Sequence, residues 1–227
     1  MKNDITTLNE FEGATLLRQW GIPVIDGILV NDYPEAASAA DLLGFPVALK
    51  ICSEAIPHKT ERGGVVLNIL DPSALGMAVR EMKSRFADVS HAFLVQKMAP
   101  PGTELILGGR RDPVFGPVVL AGIGGIFTEI FRDTAVDLAP LDEKAALAML
   151  RRLRGIALLD GYRSQEPLDL ASVAEAVSSL SRLISERPDI VEIDVNPFIA
   201  YPDGAAAVDA LVRLDGAGLE FQAGRAG

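Results

Sequence analysis

The chain has 227 residues, with 31 acidic against 21 basic side chains and a formal net charge of −10 at pH 7. A composition of 49% hydrophobic and 23% charged residues supplies a packed core and excludes global disorder. The acidic balance excludes a general nucleic-acid binder, so a phosphate ligand would have to meet positive charge gathered locally. A single cysteine, Cys52, allows neither an intrachain disulfide nor a cysteine zinc cluster and points to a reducing compartment. The opening MKNDITTLNEFEG has no apolar targeting region, and the most apolar stretch, 117–127, is too short to span a bilayer. A cytoplasmic protein with no membrane partner is expected.

In chain order, Asn9 and Glu12 form a capping-box pattern that predicts a helix stopped at Gly21, with Pro23 beyond it. The run 24–30 reads as a strand, and Asp32 caps a second helix ending at Gly44. FPVALKIC, 45–52, is a short apolar strand with Lys50 inside it, followed by a polar loop over 53–64. A strand over 65–70, a helix over 72–85 and a strand over 92–98 lead to the stiff break Ala99-Pro100-Pro101-Gly102. Beyond it the pattern predicts paired strands over 104–109 and 116–121, a glycine turn at 122–125 and a strand over 126–132. Helices follow over 142–154 and 170–186, then closing strands over 190–195 and 206–212. The chain thus reads as two α+β halves divided near residue 100, an arrangement that places a ligand cleft between them.

Four features carry chemistry. Lys50 in an apolar strand needs either water at the strand end or an anion such as phosphate. The loop HKTERGG, 58–64, is either an ordinary charged loop or one in which His58 serves as nucleophile and the glycines admit an anion. Gly122, Gly124 and Gly125 make either a tight turn or a backbone cradle; the segment matches neither GxxxxGK[ST] nor GxGxxG. Glu192, Asp194 and Asn196 alternate on one strand face, with Asp209 on the next strand, as either a solvated acidic face or hard oxygen ligands for Mg²⁺.

Taken together, GFPVALKI, HKTERGGV, LVQKMAPPGTELILG, RRDPVFGPVVLAGIGGIFTE, DLAPL and EIDVNP resemble, in this order, the β subunit of the NDP-forming acyl-CoA synthetases. These enzymes are related to succinyl-CoA synthetase. The resemblance covers nearly the whole chain. It implies an ATP-grasp fold, of mixed α+β class, with the nucleotide between two subdomains. The expected single domain, 1–227, divides into an N-terminal part, 1–95, a C-terminal part, 96–215, and a small polar tail, 216–227.

The resemblance also implies roles. Lys50 contacts nucleotide phosphates, and Gln96, Lys97 and Met98 form the hinge whose backbone holds the base. Glu104 faces the ribose or metal–phosphate region. Asn196 and Asp209 bind Mg²⁺. His58 carries a phosphoryl group to ADP, steadied by Asp194 and Glu192, and Gly124 and Gly125 meet the partner's phosphorylated segment. Two positions depart from the family pattern: Lys97 stands where glutamate is common, and Asp137 where arginine is frequent. The implied reaction is acyl-CoA + ADP + phosphate to acid + CoA + ATP, with ADP and GDP not distinguished. It needs an α subunit that carries the CoA-binding half, in an α₂β₂ assembly. A nucleotide-sensing regulatory subunit and a succinyl-CoA synthetase-type β subunit are the alternatives.

Overall fold

A computed structural model of the chain describes residues 5–53, 59, 62–125, 133–162 and 166–215. His58, the strand read over 126–132 and the tail over 216–227 lie outside the described residues. Among the described residues no helix is long and apolar enough to cross a membrane.

The smaller of two antiparallel sheets has the strand order β2 (Gly27–Val30), β5 (Ala92–Lys97), β3 (Val47–Cys52) and β4 (Val65–Ile69). Helices α2 (Tyr33–Leu43) and α3 (Pro72–Arg85) cover one of its faces. Each begins where an aspartate, Asp32 or Asp71, accepts a first-turn N–H from Glu35 or Ala74. Proline stands in the first turn of both, where its missing N–H costs nothing. The period-2 alternation of β3 sends Val47 and Leu49 into the core with Leu75, Val79 and Met82. Ala48, Lys50 and Cys52 take the other face, and they too are buried. That second burial surface puts Lys50 inside the protein.

The larger sheet runs β1 (Ile5–Thr7), β11 (Ala210–Asp215), β9 (Ile190–Tyr201), β6 (Thr103–Asp112), β7 (Gly116–Ile123) and β8 (Thr134–Leu138), with β10 (Gly204–Ala207) paired to β9. Helices α4 (Glu143–Leu150) and α6 (Leu170–Glu186), with the short α5 (Ile156–Leu159) near them, belong with one face. Leu105, Leu107, Val119, Ile193 and Val195 pack there with Met149 and Leu180. Arg111 closes the C-terminal end of α6 by donating to the carbonyls of Ile184 and Arg187. The residues between those core positions, among them Ile106, Gly108, Glu192 and Asp194, look outward from the opposite face.

The first helix, α1 (Glu10–Gln19), precedes the smaller sheet in sequence but packs Leu16 and Leu17 into the core of the larger one. Its capping box is present, with Asn9 and Glu12 exchanging bonds of 3.1 and 3.0 Å. The stretch 24–30, read as one strand, is a crossover. Val24 bridges Ala207 of the larger sheet, and pairing with the smaller sheet starts at Gly27. The closing run over 206–212 is likewise two strands. Val208 and Asp209 lie between them, where the partner strand β9 passes through Asn196-Pro197. This break places the backbone of Val208 and the side chain of Asp209 at the junction of the two sheets.

Candidate functional site

Lys50 is the centre of the site. Its Nζ lies 2.5 Å from Oε1 of Glu10 and 3.0 Å from the carbonyl of Val208. Both charged side chains are only 5% exposed, so each is the condition for burying the other. Glu10 is the first residue of α1, where the positive end of the helix dipole supports a carboxylate. The other Glu10 oxygen takes Lys59, whose Nζ also donates to Oδ1 of Asp209 at 3.0 Å. Burial alone would lower the Lys59 pKa; the charges of Glu10 and Asp209, and hydrogen bonds to both, override it and raise the group above an ordinary lysine. Two cations and two carboxylates leave the cluster neutral.

The Val208 carbonyl has a second donor, Gln96 Nε2, at 3.1 Å. Gln96 and Lys50 share a face of the smaller sheet, so β3 and β5 both grip one main-chain oxygen of the larger domain half. Next to them the Cys52 thiol lies 3.2 Å from Oδ1 of Asn9, and burial pushes its pKa up. That environment keeps the thiol protonated and unreactive.

At the positions expected to form the hinge, the N–H of Lys97 donates to the Asp26 carbonyl at 2.9 Å and that of Met98 to the Pro46 carbonyl at 3.3 Å. The hinge amides are therefore engaged within the protein, and the Lys97 side chain is exposed. Beyond the hinge, Glu104 and the glycine turn come together. The N–H of Gly124 donates to the Glu104 carbonyl at 2.7 Å. A Cβ on Gly124 would stand 2.9 Å from that carbonyl oxygen, so the approach requires glycine. Gly125, at φ +68°, turns the chain beside the Glu104 carboxylate.

On the outward face of the larger sheet, Glu192 and Asp194 line a cavity of about 470 Å³ with Ile106, Gly108, Phe115 and Val136. Glu192 is held by Arg213 at 2.7 Å across β9 and β11. The Asp194 carboxyl is raised, first by desolvation and then by the charges of Glu192 and Asp209, with Arg213 opposing. A raised carboxyl binds its proton better folded than unfolded, so ionised Asp194 costs stability at neutral pH and the cost vanishes below the unfolded pKa. Asp194→Asn is expected to raise Tm at pH 7 by roughly 1–2 °C, a gain kept small by solvent screening. The gain over the native protein should shrink as pH falls and disappear by about pH 3, below the unfolded carboxylate pKa, and paired melting curves across that range check it.

Asn196 and Asp209 are neighbours across the strand break, with the Asn196 N–H 3.3 Å from the Asp209 carbonyl. An amide oxygen and a carboxylate are the hard donors magnesium takes, few in number and completed by phosphate oxygens and water. Among the described residues no three His, Cys, Asp or Glu side chains are gathered as a closed metal site. The donor set thus suits an ion that arrives with a phosphate.

Of the residues singled out in the sequence, Lys50, Gln96 and Asp209 meet in one cluster, with Asn196 beside it. Glu104 joins Gly124 and Gly125, and Glu192 joins Asp194. Glu10, Lys59 and the Val208 carbonyl were not foreseen. A lysine required to be buried signals that a counter-anion exists, but not which one.

The ATP-grasp domain family matches residues 1–214. The β subunit of ADP-forming acetate–CoA ligase I from Pyrococcus furiosus is 36% identical over 212 residues, covering 91% of each chain. Dinucleotide-forming acetyl-coenzyme A synthetase 1 of Ca. Korarchaeum cryptofilum, solved with coenzyme A and Ca-AMPCP, is 39% identical. It superposes with a TM-score of 0.87 over 92% of this chain and 93% of that one. The same enzyme solved with coenzyme A and Mg-AMPPCP, its phosphohistidine segment pointing towards the nucleotide binding site, superposes with a TM-score of 0.82 at the same coverage. Two sheets, a buried lysine between them and similarity along nearly the full length give one conclusion: the chain belongs to the ATP-grasp family, in the group formed by the β subunits of ADP-forming acetate–CoA ligases.

Proposed function

We propose that the chain is the nucleotide-binding subunit of an ADP-forming acyl-CoA synthetase, a cytoplasmic ligase that works with an α subunit in an α₂β₂ assembly. The reaction is acyl-CoA + ADP + phosphate to carboxylic acid + CoA + ATP. The observation that carries this reading is the Lys50 ammonium, buried at the junction of the two sheets with its charge parked on Glu10. Such a cation is available to nucleotide phosphates at the cost of exchanging one anion for another.

In this reading the phosphoryl group leaves a nitrogen of His58 for a terminal oxygen of ADP. The P–N bond breaks, a P–O bond forms, and the imidazole is released neutral. Lys50 draws off phosphate charge, and placement in line supplies most of the rate. Asp194 accepts the imidazole N–H and holds the ring, with Glu192 beside it. Asn196 and Asp209 would hold Mg²⁺, which when bound neutralises phosphate charge. With the amides of Lys97 and Met98 engaged, the hinge offers the base its carbonyls, which suit the amino group of adenine. Glu104 sits at the glycine turn, where Gly124 and Gly125 receive the partner's phosphorylated segment. The exposed Val114, Phe115, Val136 and Leu138 give the α subunit an apolar surface toward the other end of the β6–β7 hairpin.

The test uses the assembled α and β subunits. His58→Ala should lower ATP formation by about 10³-fold or more while the Kd for ADP changes less than about threefold. Retained ATP formation in that variant would remove His58 from the mechanism.

A further inference from the structure

We propose that Glu10 is the resident competitor of the nucleotide phosphates for Lys50, a positioning residue that sets how tightly ADP and ATP are held. The inference rests on Lys50 as the phosphate contact. It makes Glu10 a residue whose neutralisation strengthens nucleotide binding, the reverse of what a ligand-gripping or purely structural group would show.

The contact already joins the two halves of the fold. Lys50 stands on β3 of the smaller sheet, while Glu10 opens α1, whose Leu16 and Leu17 pack with the larger one. The ammonium lies 2.5 Å from Glu10 Oε1 and 3.0 Å from the Val208 carbonyl, and both charged side chains are 5% exposed. A phosphate brought beside an intact pair would meet the carboxylate at close range, where little water screens like charges. The arriving anion therefore displaces Glu10 from the ammonium.

The cluster is built to release Lys50, because both groups it would leave keep another donor. Glu10 holds Lys59 through its other oxygen, and the Val208 carbonyl holds Gln96 Nε2 at 3.1 Å. Glu10 also keeps its place at the positive end of α1. Departure of the ammonium thus leaves neither a buried carboxylate nor a buried carbonyl unpaired, which is the usual penalty for opening such a pair. The free protein rests with Lys50 on an anion of its own, and its affinity for nucleotide is lowered by the strength of that internal contact.

The experiment is titration calorimetry of Mg·ADP into the α–β complex for native protein, Glu10→Gln, Lys50→Ala, the double variant Glu10→Gln/Lys50→Ala and Glu12→Gln, beside melting curves. Glutamine keeps the size and an oxygen for Lys50 but offers a neutral acceptor, a contact about half as strong as a charged one. Glu10→Gln should bind ADP about tenfold tighter than native, and the gain should fall below about twofold when Lys50 is already alanine. Glu12→Gln removes a charge from the same turn, keeps the capping box and leaves Lys50 alone, so its Kd should stay within about twofold of native. A gain below about threefold in Glu10→Gln, or weaker binding, overturns the proposal and makes Glu10 a fixed counter-ion. A gain that persists without Lys50, or that Glu12→Gln reproduces, overturns it as well, since the effect is then one of overall charge. If Glu10→Gln loses more than about 10 °C in Tm, Glu10→Asp takes its place, keeping the charge but shortening its reach, under the same threefold threshold. Native-like ADP affinity in Lys50→Ala sinks the parent assignment of the lysine. Weakened binding in Lys50→Ala beside an untightened Glu10→Gln sinks the role of Glu10 alone.

Discussion

Lys50→Ala is expected to weaken the binding of ADP and ATP by about 10²-fold, because a charge-assisted contact to phosphate is lost in a site shielded from water. The fold should tolerate the change. Glu10 keeps Lys59 as a partner, so the deletion leaves no isolated charge behind. Gln96 still holds the Val208 carbonyl. The measurement is titration calorimetry of the variant with Mg·ADP beside a melting curve. A near-native Tm with affinity lost places the lysine at the phosphates. Affinity unchanged within a factor of about two would mean that the buried cation serves only the fold.

The second large effect runs the other way. Glu10→Ala strands a lysine whose side chain is 5% exposed, leaving it the Val208 carbonyl but no counter-charge. Removing one member of a buried pair costs about 3–5 kcal/mol, which for a chain of this size lowers Tm by roughly 6–20 °C. The two members are thus unequal: losing Glu10 should damage folding far more than losing Lys50 does. The double variant Glu10→Ala/Lys50→Met should recover most of the loss, since it removes the uncompensated charge as well. ADP should also restore part of the Tm of Glu10→Ala, because its phosphates replace the missing anion. A loss below about 1 kcal/mol in the single variant would show that Lys50 is stabilised by something other than this pair.

Local chemistry made the helices legible. The boundaries of α3 and α6 coincide with those read from apolar spacing, and α2 begins at the expected Asp32 cap and stops at Gly44. Caps and periodicity lie within a few residues of each other, so a short window contains the whole signal. The stretches 24–30 and 206–212 were harder because their pairing is decided by distant partners, and each changes partner midway. The strand β8 was not foreseen; it exists by pairing with β7.

The site shows the same division. Lys50 and Asp209 stand out individually, one as a cation in an apolar strand and the other as an acid on a closing strand. What joins them does not. Lys50 finds Glu10 across 40 positions and Lys59 finds Asp209 across 150. An acidic residue in the first turn of a helix is so ordinary that Glu10 gives no sign of its second task.

The pair of hydrogen bonds accepted by the Val208 carbonyl has a further consequence for anyone altering this protein. The acceptor belongs to the main chain, so replacing the valine side chain cannot delete it. Only a change to the peptide itself can do so, for example an ester in place of the amide between Val208 and Asp209, whose carbonyl accepts more weakly. Side-chain libraries built around the cleft will therefore vary the two donors and leave their shared anchor in place, and the alignment of the two sheets at that point is insulated from point substitution at residue 208.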